Sequence, residues 1–244
     1  MDVLVVSGCT GDKVFDEAPI SCNETDSSSR ADLIRKYPEY VASASEMYTG
    51  EEHEYVRRAV ENLRDHANAT WQIVSAGYGL LDEDDEIVAY DCTLSDIDSV
   101  KRRVMQAGGD SEDITHDEAR AVVGQSTNMV KDLLNTFVAG YELVFIVLSE
   151  PYYAALASAL HDIPKGVTVV AIASKRSLKH LGGAFWAPAT RDVRTALGLN
   201  NFRLRGELLE RASANVSKSD LMRMSREPDT ILEVVLAFQN AQLD

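Results

Sequence analysis

Four short apolar runs punctuate the chain: Val3 to Val6, Gln72 to Ala76, Leu143 to Leu148 and Val167 to Ala173. None alternates apolar with polar, so each predicts a strand covered on both faces. Each ends in a serine, at Ser7, Ser75, Ser149 and Ser174, followed by small, polar or aromatic residues. Between the runs the period changes. Tyr55, Val56, Ala59, Val60 and Leu63 predict a helix over Glu51 to Ala67, with Thr49 or Gly50 as N-cap and Glu51 and Glu52 favourable in its first turn. Thr115 predicts a cap before His116 to Val123. Met129, Leu133 and Phe137 mark an amphipathic helix over Gln125 to Val138, and Pro151 opens a helix reaching Leu160. Ala31 to Tyr37 predicts a short helix stopped by Pro38, and Asp12 to Arg30 a polar surface loop.

Strands alternating with helices predict an α/β fold: a mostly parallel sheet flanked by helices, with a C-terminal helical extension. The expected division is an α/β domain over residues 1–190 and a helical extension over 191–244 packed on it. In the extension, Asp192 to Leu197 and Phe202 to Val216 predict basic amphipathic helices, the second burying Leu204, Leu208, Leu209 and Ala212. Ile231, Val234, Val235 and Phe238 share one face of a last helix, Thr230 to Ala241. Ligands of parallel α/β sheets bind outside the carboxyl ends of the strands, where the four serine-led loops converge. A serine there also has a plainer use as the cap of the next helix.

The candidate ligand residues come from those loops: Ser7, Cys9 and Lys13; Tyr48 and Gly50; Ser75, Tyr78, Gly79 and Tyr90; Ser149 and Tyr152. Ser7 to Lys13 has the glycines and lysine to cradle an anion but lacks P-loop spacing. Gly77-Tyr78-Gly79 lets the backbone approach a ligand, with Tyr78 either stacking on it or packing inward. Glu150, beside Tyr152 and Tyr153, and Asp91, beside Tyr90, are the candidate acid/base groups, since a carboxylate among aromatic rings has its pKa raised. Pairing of Glu150 with an arginine is the alternative. Cys9 is a nucleophile only if a cation or histidine lowers its pKa; otherwise it is an inert thiol.

Composition narrows the class. The 244 residues carry a formal charge of −15, with pI about 4.7 and 16 Arg against 8 Lys, an acidic surface of the kind seen in proteins of salt-loving organisms. Ser174 to Arg226 reverses the sign, with 11 Lys/Arg against four acids for a net of +7, leaving −22 elsewhere. Lys175, Arg176, Lys179, Arg203 and Arg205 are therefore candidate nucleic-acid contacts, with pairing to the protein's own acids as the alternative. Cys9, Cys22 and Cys92 are odd in number and lack C-x-x-C spacing, which argues against a disulfide framework or a zinc knuckle. The five histidines lack paired ligand spacing, so sequence names no metal ligands and leaves a metal site only to convergence in space, the cofactor stays unknown, and the Asp82 to Glu86 run reads as an acidic turn rather than a calcium loop. No membrane span or signal segment is evident, which predicts a cytoplasmic protein with no membrane partner. Sequence sets no oligomeric state.

One resemblance is carried by specific residues: the opening strand with Ser7, Cys9 and Lys13; Met47-Tyr48-Thr49-Gly50 before a helix; and Ser75-Ala76-Gly77-Tyr78-Gly79-Leu80-Leu81 with Tyr90-Asp91 following. Over mainly residues 1–95 the chain resembles a family of uncharacterised prokaryotic domains that is in turn similar to the YaaA peroxide-stress proteins. It departs from that pattern at Ala89, where proline is usual before the tyrosine, and at Gly77, where many members carry a basic residue. The resemblance implies a compact α/β fold and, for the YaaA branch, DNA binding that limits oxidative damage. The leading expectation is a nucleotide- or nucleic-acid-binding protein. The alternatives are an enzyme acting on a nucleotide or modified nucleobase at its glycosidic bond, and a non-enzymatic adaptor.

Overall fold

The computed structural model describes residues 1–198 and 204–241. Ten strands occur in chain order: β1 Asp2–Gly8, β2 Ile20–Ser21, β3 Val41–Ser43, β4 Asn68–Ser75, β5 Gly79–Asp82, β6 Glu86–Val88, β7 Tyr90–Asp91, β8 Leu143–Val147, β9 Thr168–Ala173 and β10 Phe185–Pro188. Six of them form one sheet in the order β10-β9-β8-β1-β4-β5, parallel except for β5, which folds back antiparallel on β4. The four apolar runs are its four central strands, and Val3 to Val6, Leu143 to Ile146 and Val170 to Ala173 are essentially without solvent exposure.

The chain leaves β1 for β4 on one side, and later returns through β8 to its other side. The crevice between the ends of β1 and β8 is thus the point where strand order reverses, the standard place for a ligand in such sheets.

Helical spacing placed the main helices correctly. Gly50 caps the helix Glu51–Arg64, and Thr115 caps His116–Ser126 in a capping box with Glu118. The expected run through Gln125 to Val138 is broken instead at Asn128, which sits at φ 60° between His116–Ser126 and Met129–Val138. A tertiary contact accompanies the break: the Thr127 carbonyl lies against Gly79, where a Cβ would stand 2.8 Å from its oxygen. Gly79 itself has φ +80°, so this turn demands glycine twice over.

The helix Leu204–Ala214 packs on Glu51–Arg64, with Leu208, Leu209 and Ala212 buried as expected. Ion pairs Arg205–Glu52 and Arg58–Glu210 join the two. Arg203 and the start of the helix expected from Phe202 lie outside the described residues, as do the side chains of Leu204 and Phe238.

Two expectations require correction. The polar stretch from Asp12 to Arg30 is not wholly loop: it holds β2 and the helix Cys22–Ser27, closed by a capping box between Ser21 and Glu24. Cys22 and Cys92, which lack any local spacing signal, form a disulfide with Cα atoms 5.0 Å apart. The cause is register. Because β2 pairs in parallel with β7, Ile20 against Tyr90 and Ser21 against Asp91, one further step sets residue 22 beside residue 92.

The bridge closes a separation of 70 residues. Replacing both cysteines by serine should lower unfolding stability by about 2–4 kcal/mol through the freed unfolded chain. Guanidinium titration under non-reducing conditions checks this; an unchanged midpoint would mean the cross-link is not formed.

Candidate functional site

The ends of β1, β4 and β8 bring most of the candidate residues together. Cys9 follows β1, and its amide donates to the Val74 carbonyl at 3.0 Å, fixing the loop across the end of β4. Its Sγ lies 2.9 Å from the Tyr152 hydroxyl and 3.4 Å from the Ala76 amide, which donates to it. Tyr152 comes from the first turn of Glu150–His161, the helix that leaves β8. A hydroxyl and an amide from separate strand ends thus converge on one sulfur at the switch point.

A second cluster adjoins it. The Tyr90 hydroxyl is 2.8 Å from that of Tyr48 and 2.7 Å from Ser75 Oγ, and Ser75 Oγ also accepts from the amides of Gly77 and Tyr78. Tyr48, Tyr90 and Ser75 are almost wholly buried, so their polar atoms depend on one another. Lys13 lies over the Tyr90 ring, with Nζ 4.8 Å from its centroid, and a lone bridge pairs Lys13 with Tyr48.

Electrostatics follow from this burial. Tyr48, Tyr90 and Tyr152 are pushed well above the ordinary phenol range by desolvation and, next, by electrostatic interaction with Cys9. All three remain neutral hydroxyls. Lys13 is lowered by burial, against the opposing charges of Cys9, Asp91 and Asp12. His53, which lines the same crevice, is lowered mainly by burial. Its Nε2 meets the Ser45 carbonyl at 2.9 Å, its ring lies 4.7 Å from that of Trp71, and its Nδ1 has no partner.

The crevice itself is small, about 40 Å³, and Glu52 and Arg205 line it while paired through two bonds of 2.8 and 2.6 Å. Next along the chain, Gly77 and Tyr78 lead into an open groove of about 910 Å³, lined also by Thr25, Arg30, Arg103 and Asn128. Tyr78 is partly buried, its hydroxyl donating to the Val88 carbonyl at 3.1 Å and its ring edge-on to Tyr90. Both arginines are neutralised in place. Arg30 meets Asp85 at 2.8 Å, and buried Arg103 grips Asp26 through bonds of 2.7 and 2.6 Å while donating to the Ala76 carbonyl.

Of the remaining candidates, Ser7 and Ser149 also line the small crevice at Cys9, while Gly50, Glu150 and Asp91 fall elsewhere. Ser7 accepts from the Trp71 indole at 2.9 Å, and Gly50 sits so close to Thr10 that a Cβ would stand 2.6 Å from it. Ser149 and Ser174 begin helices without a side-chain capping bond, so capping does not explain them. Glu150 faces Asp117 and His180, and exposed Asp91 lines a recess beside Cys92. Tyr153 is a core residue whose hydroxyl donates to the Ile146 and Ile172 carbonyls. In the basic segment, Lys179 pairs with Asp117 and Arg205 with Glu52; Lys175 and Arg176 are exposed.

Sequence reading passed over His53, Thr10 and Arg103. His53 had a signal: it stands three residues before Val56 on the apolar stripe of its helix, a polar group in a buried row. Arg103, on the Ile97–Gln106 helix, had none.

The profile of a family of unknown function (DUF6884) matches residues 34–108. There the chain is similar to that family. The matched stretch holds Tyr48, His53, Ser75, Tyr78 and Tyr90, and so contains the buried hydroxyl cluster but neither Cys9 nor Tyr152. No curated protein and no solved structure matches.

Tyr90→Phe removes a hydroxyl shared by two buried partners and should cost about 1–3 kcal/mol in urea unfolding; a cost near zero would mean the cluster is not assembled. His53 gives a pH test with a defined sign. Its folded pKa lies below its unfolded value of about 6.5, so the unfolded chain binds more protons and stability falls as pH drops below about 6.5. The loss should approach about 1.4 kcal/mol per pH unit from this group before its folded pKa is reached. His53→Phe should flatten that part of the stability profile; an unaltered slope would contradict the assignment.

Proposed function

We propose that this protein binds a nucleoside-type ligand, a base with or without its sugar and phosphate, in the groove beside Tyr78 at the carboxyl edge of the sheet. The observation that supports this best is the groove's size together with its lining. At about 910 Å³ it falls within the range of small-molecule sites, and it offers one aromatic ring among hydroxyl and amide groups from Thr25, Gln106, Thr127 and Asn128. Such groups match the donor and acceptor edges of a base, and the Tyr78 ring matches its face.

Charge favours a small ligand over a polymer. Arg30 and Arg103 each have a carboxylate partner, and the chain carries −15 overall, which repels a phosphate backbone. A nucleic-acid reading rests on Lys175 and Arg176, whose exposed charges follow β9, and on the resemblance to the YaaA branch. A catalytic reading with Glu150 or Asp91 as acid/base has less behind it, because neither lines this groove.

Calorimetric titration with the common nucleosides and free bases, and with a short duplex, separates these readings. Binding of a nucleoside or base should weaken about 5- to 150-fold in Tyr78→Ala, the range of one base-aromatic stack, while Tyr78→Phe stays within about threefold. Binding only to the duplex, lost when Lys175 and Arg176 become alanine, would overturn the small-ligand reading in favour of nucleic acid.

A further inference from the structure

Asp117, Glu150 and His180 meet at the carboxyl edge of the sheet although they stand 33 and 30 residues apart in sequence. Asp117 lies in the first turn of His116–Ser126, Glu150 opens Glu150–His161 after β8, and His180 ends the 3-10 helix Lys175–His180 after β9. One ligand atom from each can be chosen so that all three lie within 4.8 Å of one another.

The two carboxylates have an ordinary explanation, since acids are favoured in the first turn of a helix. The histidine has none. His180 is 6% exposed, and its buried Nε2 has no hydrogen-bond partner yet points at Asp117, 3.5 Å from Oδ2. Leaving a buried polar atom without a partner is unfavourable, because its desolvation goes uncompensated. A group that binds between these side chains would remove that cost.

We infer that Asp117, Glu150 and His180 form a binding site for one divalent transition-metal ion, Zn²⁺ or a metal of similar preference. One imidazole with two carboxylates suits such an ion better than Mg²⁺ or Ca²⁺, which take oxygen ligands. Ligand atoms about 2.1 Å from a tetrahedral ion stand about 3.4 Å apart, so the cluster must contract by up to about 1.4 Å, within reach of carboxylate rotamers. Three protein ligands leave a coordination position for water or a substrate atom, the pattern of an open rather than a closed site.

The resident competitor is Lys179, whose ammonium pairs with Asp117 while its side chain is 60% exposed. It can swing into solvent when an ion arrives. Arg120 is the second cation on Asp117, at 3.4 Å, and its Nε is held by the Leu94 carbonyl. Both cations and the two helix N-termini oppose a metal, which points to micromolar rather than picomolar affinity.

The test is titration of the EDTA-treated full chain with Zn²⁺ by calorimetry and with Co²⁺ by visible absorption. Saturation at one ion per chain is expected, weakened at least about tenfold in Glu150→Gln and in His180→Gln and unchanged in Cys9→Ser. Lys179→Ala is a surface change that leaves the fold intact, and it should tighten binding several-fold by freeing Asp117. Failure to saturate, equal affinity in Glu150→Gln, or weaker binding in Lys179→Ala would each overturn the site. Because the nucleoside groove shares none of these residues, loss of metal binding and loss of nucleoside binding are read independently.

Discussion

The buried hydroxyl of Tyr90 is the joint on which this architecture turns. A strand end covered by protein must find partners for its polar groups inside. Ser75, the last residue of β4, finds them in Tyr90 and in the amides of the turn that follows. Tyr90 in turn anchors Tyr48, and its ring carries Lys13 on one contact and Tyr78 on another. A Cβ on Gly77 would stand 3.0 Å from that ring, so the aromatic also sets how closely the β4 turn approaches. Two short ribbons outside the main sheet therefore hold the loop that reaches the groove.

Charge is distributed by the same logic. Four cations of the basic segment are spent on the protein's own acids: Arg205 on Glu52, Lys179 on Asp117, Arg211 on Glu207 and Arg223 on Glu233. The Arg205–Glu52 pair lines the crevice at Cys9, so the start of the helix Leu204–Ala214 faces that crevice rather than presenting an outward surface. The more exposed of these pairs, Lys179–Asp117 and Arg223–Glu233, contribute little to stability, and their main effect is to cancel field where a phosphate would otherwise be drawn in.

Two chemically different places thus lie on one edge of the sheet. Around Cys9 and Tyr90 the groups are tyrosine hydroxyls kept neutral by burial and the Cys9 sulfur, with room for little beyond a water molecule. At the ends of β8 and β9 the groups are carboxylates and an imidazole with one unfilled bond. Parallel sheets collect loops from distant parts of the chain at one edge, and that topology brings both places within one face.

The strands, their serine ends and the helices Glu51–Arg64 and Glu150–His161 were legible in the residues because burial on two faces and a 3.6-residue period leave local traces. Reading those strands as parallel places the loops of Cys9, Ser75 and Tyr152 at one edge; Tyr48 and Tyr90 lie outside those strands, and the tertiary fold brings them there. Sequence by itself therefore determined the α/β class and the edge where the strand-end loops gather. Only the tertiary structure decided that Cys22 bonds Cys92, that the helix breaks at Asn128 against Gly79, that Lys179 and Arg205 are spent internally, and that His180 faces Asp117 and Glu150. Each of these depends on register or on contacts between segments tens of residues apart, and pairing across such distances leaves no periodic mark on the chain.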